Sequence, residues 1–314
     1  HRSEYARAVT RIARQIGGVS VGLALGGGAA LGLAHIGVIR VLEKEDIPVD
    51  IVVGSSMGAL IGSLWVIGKS ADELEGIARE FENKFSMLKL VDPPIFPVSG
   101  LVRGYAIKRW LKKHLGSRTF YNVKIPFKAI AYDLIRREEL VIGSGSLVEA
   151  IRKSIAIPGV IKPVKQKERL VIDGGVLNPL PTNVLAGRGI KKIIAVNVLQ
   201  SPDDVSEGFD ITQHQMKKDR EVPFYKAPWH YLKFRLLQAL GKPFNPNISD
   251  IIIQTLQATE YVISEQSAQQ ADVVIHPDLV GIKWYQLDKV DELIKRGEKA
   301  TLNALPEIKK LLQD

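Results

Sequence analysis

A chain of 314 residues, 46% hydrophobic and 25% charged, has enough apolar material for one large α/β core or two modest ones. It contains no cysteine, which excludes disulfides, thiolate nucleophiles and cysteine metal sites, and its six histidines lack the close spacing of a zinc motif. The formal net charge of +9 points to an anionic partner, either nucleic acid or an acidic membrane surface, without choosing between them.

The chain opens on His1, so a longer parent protein is expected, and no signal peptide is legible at its start. Residues 1–18 form a basic segment, with Arg2, Arg7, Arg11 and Arg14 on a short amphipathic helix expected over 2–16. Val19 to Leu25 reads as a buried strand running into Gly26-Gly27-Gly28-Ala29-Ala30-Leu31-Gly32 and a helix to about Glu45. Residues 51–68 carry no charged side chain, long enough to suggest a membrane span. Yet the run starts with β-formers and holds Gly54, Ser55, Ser56, Gly58, Gly62 and Ser63, which favours a buried strand, turn and helix. The resulting β-α-β-α order predicts a parallel sheet.

Residues 70–116 read as helices interrupted by Asp92-Pro93-Pro94 and Pro97. Strands are expected over Phe127–Tyr132, Glu139–Ile142, Leu170–Ile172 and Ile193–Val198, with helices over Leu147–Ile155 and Val184–Arg188. Residues 200–247 lose periodicity and gain Pro, Lys and aromatics, the mark of a surface insertion. Helix returns over 249–268, a strand over Ala271–Ile275, and helix over 286–313. The economical division is one domain over 19–314 with an insertion at about 200–247.

Chemistry concentrates where predicted strands end. Gly54-Ser55-Ser56-Met57-Gly58, between a strand and a small-residue helix, has the form of a nucleophile elbow with Ser56 at its centre. Gly54 and Gly58 allow the two backbones to pass closely, and the helix amino terminus favours a developing negative charge. Ser55, off-centre, is expected to pack. The glycine-rich loop after the first strand offers unobstructed N–H groups. A dinucleotide site is its rival reading, but Ala29 fills the middle glycine position of Gly-x-Gly-x-x-Gly, and Glu43 and Glu45 lie on the helix rather than after a second strand. With a nucleophile elbow on the next strand, an oxyanion hole in this loop is the better account. Asp173, followed by Gly174 and Gly175, is either a plain turn residue or a general base able to take the Ser56 proton directly. Among the histidines only His276, after the last strand, is tempting by position; His35 sits within a helix, and His214 and His230 lie in the insertion.

Together these blocks resemble the patatin-like phospholipases, nearest to the bacterial relatives of neuropathy target esterase. The resemblance rests on Gly26 to Gly37, on Gly54 to Gly58, on Ser154-Ile155-Ala156-Ile157-Pro158-Gly159-Val160, and on Asp173-Gly174-Gly175-Val176-Leu177-Asn178-Pro179. It implies a three-layer α/β/α fold with a mostly parallel central sheet, a Ser56–Asp173 dyad that works without histidine, and an oxyanion held by backbone N–H groups near Gly27, Gly28 and Ala29. The activity implied is that of a serine carboxylic-ester hydrolase acting on lipid acyl esters through an acyl-enzyme. No cofactor and no metal are implied. Leu31 stands where the family often carries a cation that could meet a lipid phosphate.

The insertion interleaves aromatics with cations, among them Trp229, Tyr231, Lys233, Phe234 and Arg235. Such a surface suits a lipid interface or lid, or else single-stranded nucleic acid. With a lipid substrate implied, the expected partner is an anionic membrane surface and not nucleic acid. The expected location is cytoplasmic, peripheral to that membrane. An acyltransferase on the same dyad and a membrane-binding module without turnover are the alternatives.

Overall fold

The computed structural model describes residues 4–82, 92, 102–210 and 248–313. Its centre is an eight-stranded sheet: β1 (Val21–Leu25), β2 (Ile51–Ser55), β3 (Phe127–Asp133), β4 (Glu138–Ile142), β5 (Val164–Gln166), β6 (Arg169–Asp173), β7 (Lys192–Val196) and β8 (Val273–Ile275). The run β3-β2-β1-β7-β8 is parallel throughout, while β4 and β6 lie antiparallel to β3 and β5 antiparallel to β6. Because β1 and β2 are buried on both faces, they read as unbroken apolar runs and not as alternating ones.

Alternate residues divide the core into two layers. Leu23, Leu25, Val52, Ile194 and Val196 face one apolar cluster with α2 (Ala34–Lys44), α3 (Met57–Val66) and the carboxyl-terminal helix α9 (Val290–Gln313). Ala24, Val53, Ile193 and Ala195 face the other, packed with Leu180 and with Leu185 of α7 (Thr182–Ala186). This is the three-layer α/β/α arrangement. Further helices are α1 (Glu4–Ile16), α4 (Ala71–Ala78), α5 (Tyr105–Leu115), α6 (Leu147–Ser154) and α8 (Ile248–Ala268).

One register decides where the site forms. Ala129 and Ile130 pair with β2 on one side and with β4 on the other, while Ala131 pairs with both β4 and β6. A strand has two edges, so β2 and β6 must share one edge of β3. They run toward each other along it: Ser55 lies opposite Ile130, and Asp173 lies opposite the next residue, Ala131. Two strands therefore end head to head.

Several boundaries differ from expectation. Residues 202–210, expected to be irregular, are helical, and residues 211–247 with Trp229, Tyr231, Lys233, Phe234 and Arg235 lie outside the described residues. Strand β5 escaped notice because Val164-Lys165-Gln166 is short, polar and at a sheet edge. Helix α1 forms as expected but turns two of its cations inward: Arg11 donates to the Lys124 carbonyl at 2.6 Å and Arg14 to the Asp50 carboxylate at 3.2 Å. Its apolar stripe, Tyr5, Val9, Ile12 and Ile16, is exposed. Residues 51–68 form the expected strand, turn and helix, and no helix among the described residues is long and apolar enough to cross a membrane.

Candidate active site

Ser56 bridges β2 and α3 with φ 50° and ψ −120°, a left-handed backbone that a non-glycine residue adopts only under strain. Its flanking glycines make the turn possible. A Cβ on Gly58 would sit 2.2 Å from the Leu25 carbonyl oxygen, and one on Gly54 would sit 2.6 Å from the Ala59 backbone. The Ser56 amide donates to Ser154 Oγ at 3.1 Å, and that hydroxyl donates in turn to the Ile130 carbonyl of β3. Ser154, fully buried at the end of α6, thus ties the elbow to the strand beside it. Ser55 is buried without a hydrogen-bond partner for its hydroxyl, as a packing residue would be.

Ser56 Oγ donates to Asp173 Oδ2 at 2.6 Å, while the Gly175 amide donates to Asp173 Oδ1 at 2.7 Å. The head-to-head strand ends bring the two side chains together. Gly174 lets the chain leave β6 against β3, since a Cβ there would lie 2.5 Å from the Ile130 carbonyl oxygen. Burial pushes the Asp173 carboxyl up to about 7, against the pull of its two hydrogen bonds. At that value the group exists in both protonation states near neutrality.

The glycine loop crosses over this pair; a Cβ on Gly27 would come within 3.3 Å of Ser56 Cβ. Four hydrogen bonds fix it. Gly26 N–H donates to the Val196 carbonyl at 3.0 Å, Gly27 N–H to Pro179 at 2.8 Å and Ala30 N–H to Trp284 at 2.8 Å. The fourth comes from His35, whose Nε2 lies 2.8 Å from the Gly26 carbonyl oxygen. A carbonyl only accepts, so Nε2 carries the proton; burial pushes the ring's pKa down to about 4 and keeps it neutral. His35 is thus a prop for the loop. The Gly27 N–H expected in the oxyanion hole donates to the Pro179 carbonyl, while Gly28 and Ala29 line the pocket and their N–H groups have no partner among the described residues. Ala29 holds its place at the strained φ of 49°.

The pocket over Ser56 is lined by Gly27, Gly28 and Ala29, by Ile157, Pro158 and Trp284, and by one face of α8: Ile253, Leu256, Gln257 and Glu260. That face follows the helical i, i+3, i+4, i+7 spacing. Helix α8 is clamped at its far half. Asn197, just past β7, donates to Ser264 Oγ at 3.1 Å and Glu265 Oε1 at 3.0 Å, and Thr182 donates to the Ser267 carbonyl at 2.7 Å. Neither Lys, Arg nor His lines the pocket among the described residues. Leu31 is buried in the core and is not among the residues that line the pocket. His276 bonds to the Leu199 carbonyl away from the pocket.

Sequence reasoning missed the parts played by Ser154, His35, Trp284 and the α8 face. The α8 spacing was visible in the sequence, but its mixed polarity (Gln257 and Glu260 beside Ile253 and Leu256) does not mark it as a pocket wall.

Comparison with known proteins matches residues 23–186, just over half of the chain, to the Patatin family, described as patatin-like phospholipase. An uncharacterized NTE family protein of Mycobacterium tuberculosis is 29% identical over 300 residues, 95% of this chain and 49% of that protein. Lysophospholipase NTE1 of Mycosarcoma maydis is 33% identical over 207 residues, 66% of this chain and 11% of that protein. Neuropathy target esterase sws of Drosophila melanogaster is 33% identical over 199 residues, 62% of this chain and 14% of that one. The crystal structure of VipD from Legionella pneumophila aligns with 91% of this chain and 66% of its own, at a TM-score of 0.49 and 13% identity. The chain spans about half the length of the mycobacterial relatives it matches. With the family match lying across the elbow, the glycine loop and Asp173, the chain belongs to the patatin-like phospholipase family.

Proposed function

We propose that this chain is a lipid acyl hydrolase that works by a Ser56–Asp173 dyad. The observation that carries the reading is the 2.6 Å hydrogen bond from Ser56 Oγ to a buried carboxylate, at a strained elbow beneath an apolar pocket. Ser56 Oγ attacks the ester carbonyl carbon as its proton passes to Asp173 Oδ2. The carbonyl oxygen becomes an oxyanion held by the Gly28 and Ala29 N–H groups, each such donor contributing about 3 kcal/mol to the barrier reduction. As the C–O bond to the alcohol breaks, Asp173 returns the proton to the leaving oxygen. Water then attacks the acyl-enzyme as its proton passes to Asp173, and Asp173 returns that proton to Ser56 Oγ as the acyl C–O bond breaks, releasing the fatty acid and regenerating the free dyad.

Ile157, Pro158, Ile253, Leu256 and Trp284 supply the apolar wall an acyl chain needs. The relative named a lysophospholipase supports a single-chain phospholipid as the first substrate to try. A serine-directed fluorophosphonate should label wild type and not Ser56→Ala, and a lipid panel should show turnover lost in the same variant. Hydrolysis persisting in Ser56→Ala would overturn the assignment. Net charge +9 with a lipid substrate further supports peripheral contact with anionic membranes, to be seen as salt-sensitive co-sedimentation with anionic vesicles; no binding at low salt would refute it.

A further inference from the structure

The dyad has a carboxyl neighbour that the mechanism above leaves idle. Glu260 projects from the inner face of α8 into the same pocket as Ser56 and Asp173. The point where a Gly175 Cβ would sit lies 3.1 Å from Glu260 Oε1 and 3.2 Å from Asp173 Oδ1, so the two carboxyls flank one glycine. Among the described residues, the polar and titratable groups that line the pocket with Glu260 are Asp173 from β6, Ser56 from the elbow, the Trp284 indole and, on its own helix, Gln257. None brings a positive charge. A structural carboxylate in such a place would be expected to hold a cation or a set of backbone N–H groups.

We propose that Glu260 is a second working carboxyl of this site, acting in its neutral form as a hydrogen-bond donor to the alcohol side of the scissile ester. This rests on the hydrolase reading above. Two carboxyls so close share one negative charge near neutrality, and the hydrogen bonds decide which bears it. Asp173 accepts two, from Ser56 and Gly175. Glu260 accepts none from the described residues, so the charge rests on Asp173 and the proton on Glu260. Burial first, and then the charge of Asp173, push Glu260 up to about 8. Its carboxyl lines the same pocket as the nucleophile and the glycine loop. The role requires that an ester seated with its carbonyl oxygen at Gly28 and Ala29 place its alcohol oxygen on the Glu260 side of the pocket. When Glu260 ionises, the donor disappears and a second negative charge opposes the one developing on the substrate.

The test is the pH profile of kcat/KM for a small neutral alkyl ester, ethyl butyrate, followed by titration of the acid released, with active sites counted by fluorophosphonate labelling of Ser56. Wild type should lose activity above about pH 8. Glu260→Gln keeps an N–H donor and cannot ionise; its kcat/KM at pH 7 should fall only about threefold and its alkaline loss should vanish. Glu260→Leu, without a donor, should fall about tenfold or more at pH 7 at equal labelling. An alkaline limb unchanged in Glu260→Gln, or equal rates in the Gln and Leu variants, would overturn the role of Glu260 alone. Absence of both labelling and turnover in wild type would overturn the hydrolase reading and this inference with it.

Discussion

Replacing Asp173 by asparagine should abolish turnover and, at alkaline pH, make the protein more stable. The carboxyl has a folded-state value of about 7 against 3.8 for the free side chain, with burial as the largest cause. Between those values the native protein holds a proton that the unfolded chain has released, so stability declines as pH rises, by about 1.4 kcal/mol per unit. The contribution is fully present below about pH 4 and is lost once pH passes 7. Over the whole interval this amounts to about 4 kcal/mol, and between pH 5 and pH 8 to about 3 kcal/mol. Asp173→Asn removes that penalty, while the amide carbonyl still accepts from the Gly175 N–H and the amide NH2 faces the Ser56 oxygen. It also relieves the repulsion that raises Glu260, a change of the same sign. Urea unfolding of both proteins at pH 5 and pH 8 measures it: the variant's advantage should grow by about 3 kcal/mol at the higher pH. An advantage equal at the two pH values would refute the claim that Asp173 is an ionisable group held at a cost. Activity should fall by about 10²–10⁴ at pH 8, the usual worth of a general base, and by less at pH 5, where the wild-type carboxyl is itself protonated.

Ser154→Ala leaves the Ser56 amide and the Ile130 carbonyl buried without their shared partner, so unfolding free energy should drop by about 2 kcal/mol, with kcat falling more than KM changes; an unchanged kcat would show that the elbow keeps its shape unaided. Ala29→Gly relieves a left-handed alanine and should raise stability, by less than about 1 kcal/mol, in the same urea assay; a clear loss would mean that the methyl group packs usefully.

The elements that carry the site were legible because each has a local cause. An apolar run stopping at Gly54-Ser55-Ser56-Met57-Gly58 can hardly fold otherwise, and the Gly26–Gly32 loop follows its strand for the same reason. What joins them is not local. Nothing in residues 169–173 states that β6 is antiparallel, or that it meets β2 head-on along β3; that follows from pairings between segments far apart in the chain. The same holds for Ser154, which looks like any helix-end serine until the Ser56 amide lies above it. Gly27 shows the converse error: its N–H is free in a local reading, and the distant Pro179 carbonyl claims it. Glu260 carried no signal, since a glutamate on a mixed helix face is ordinarily solvated.

The geometry also accounts for how a serine could be activated here without histidine. A general base works best with a pKa near the pH at which it operates, which is why imidazole, at about 6.5, so often has the task. A carboxylate in water is too weak a base by several units. Asp173 has been moved into the imidazole range by burial, and its 2.6 Å contact with Ser56 leaves no room for an intervening ring. Burying it further, without the Gly175 amide, would keep it protonated and useless as a base; exposing it would return it to the ordinary carboxylate range. The head-to-head ends of β2 and β6 hold the carboxyl between those extremes, within reach of one hydroxyl and one amide. On the proposed mechanism the base strength of the site is therefore set by its solvent exclusion, and variants that admit water beside Asp173 should lower its pKa and its rate together.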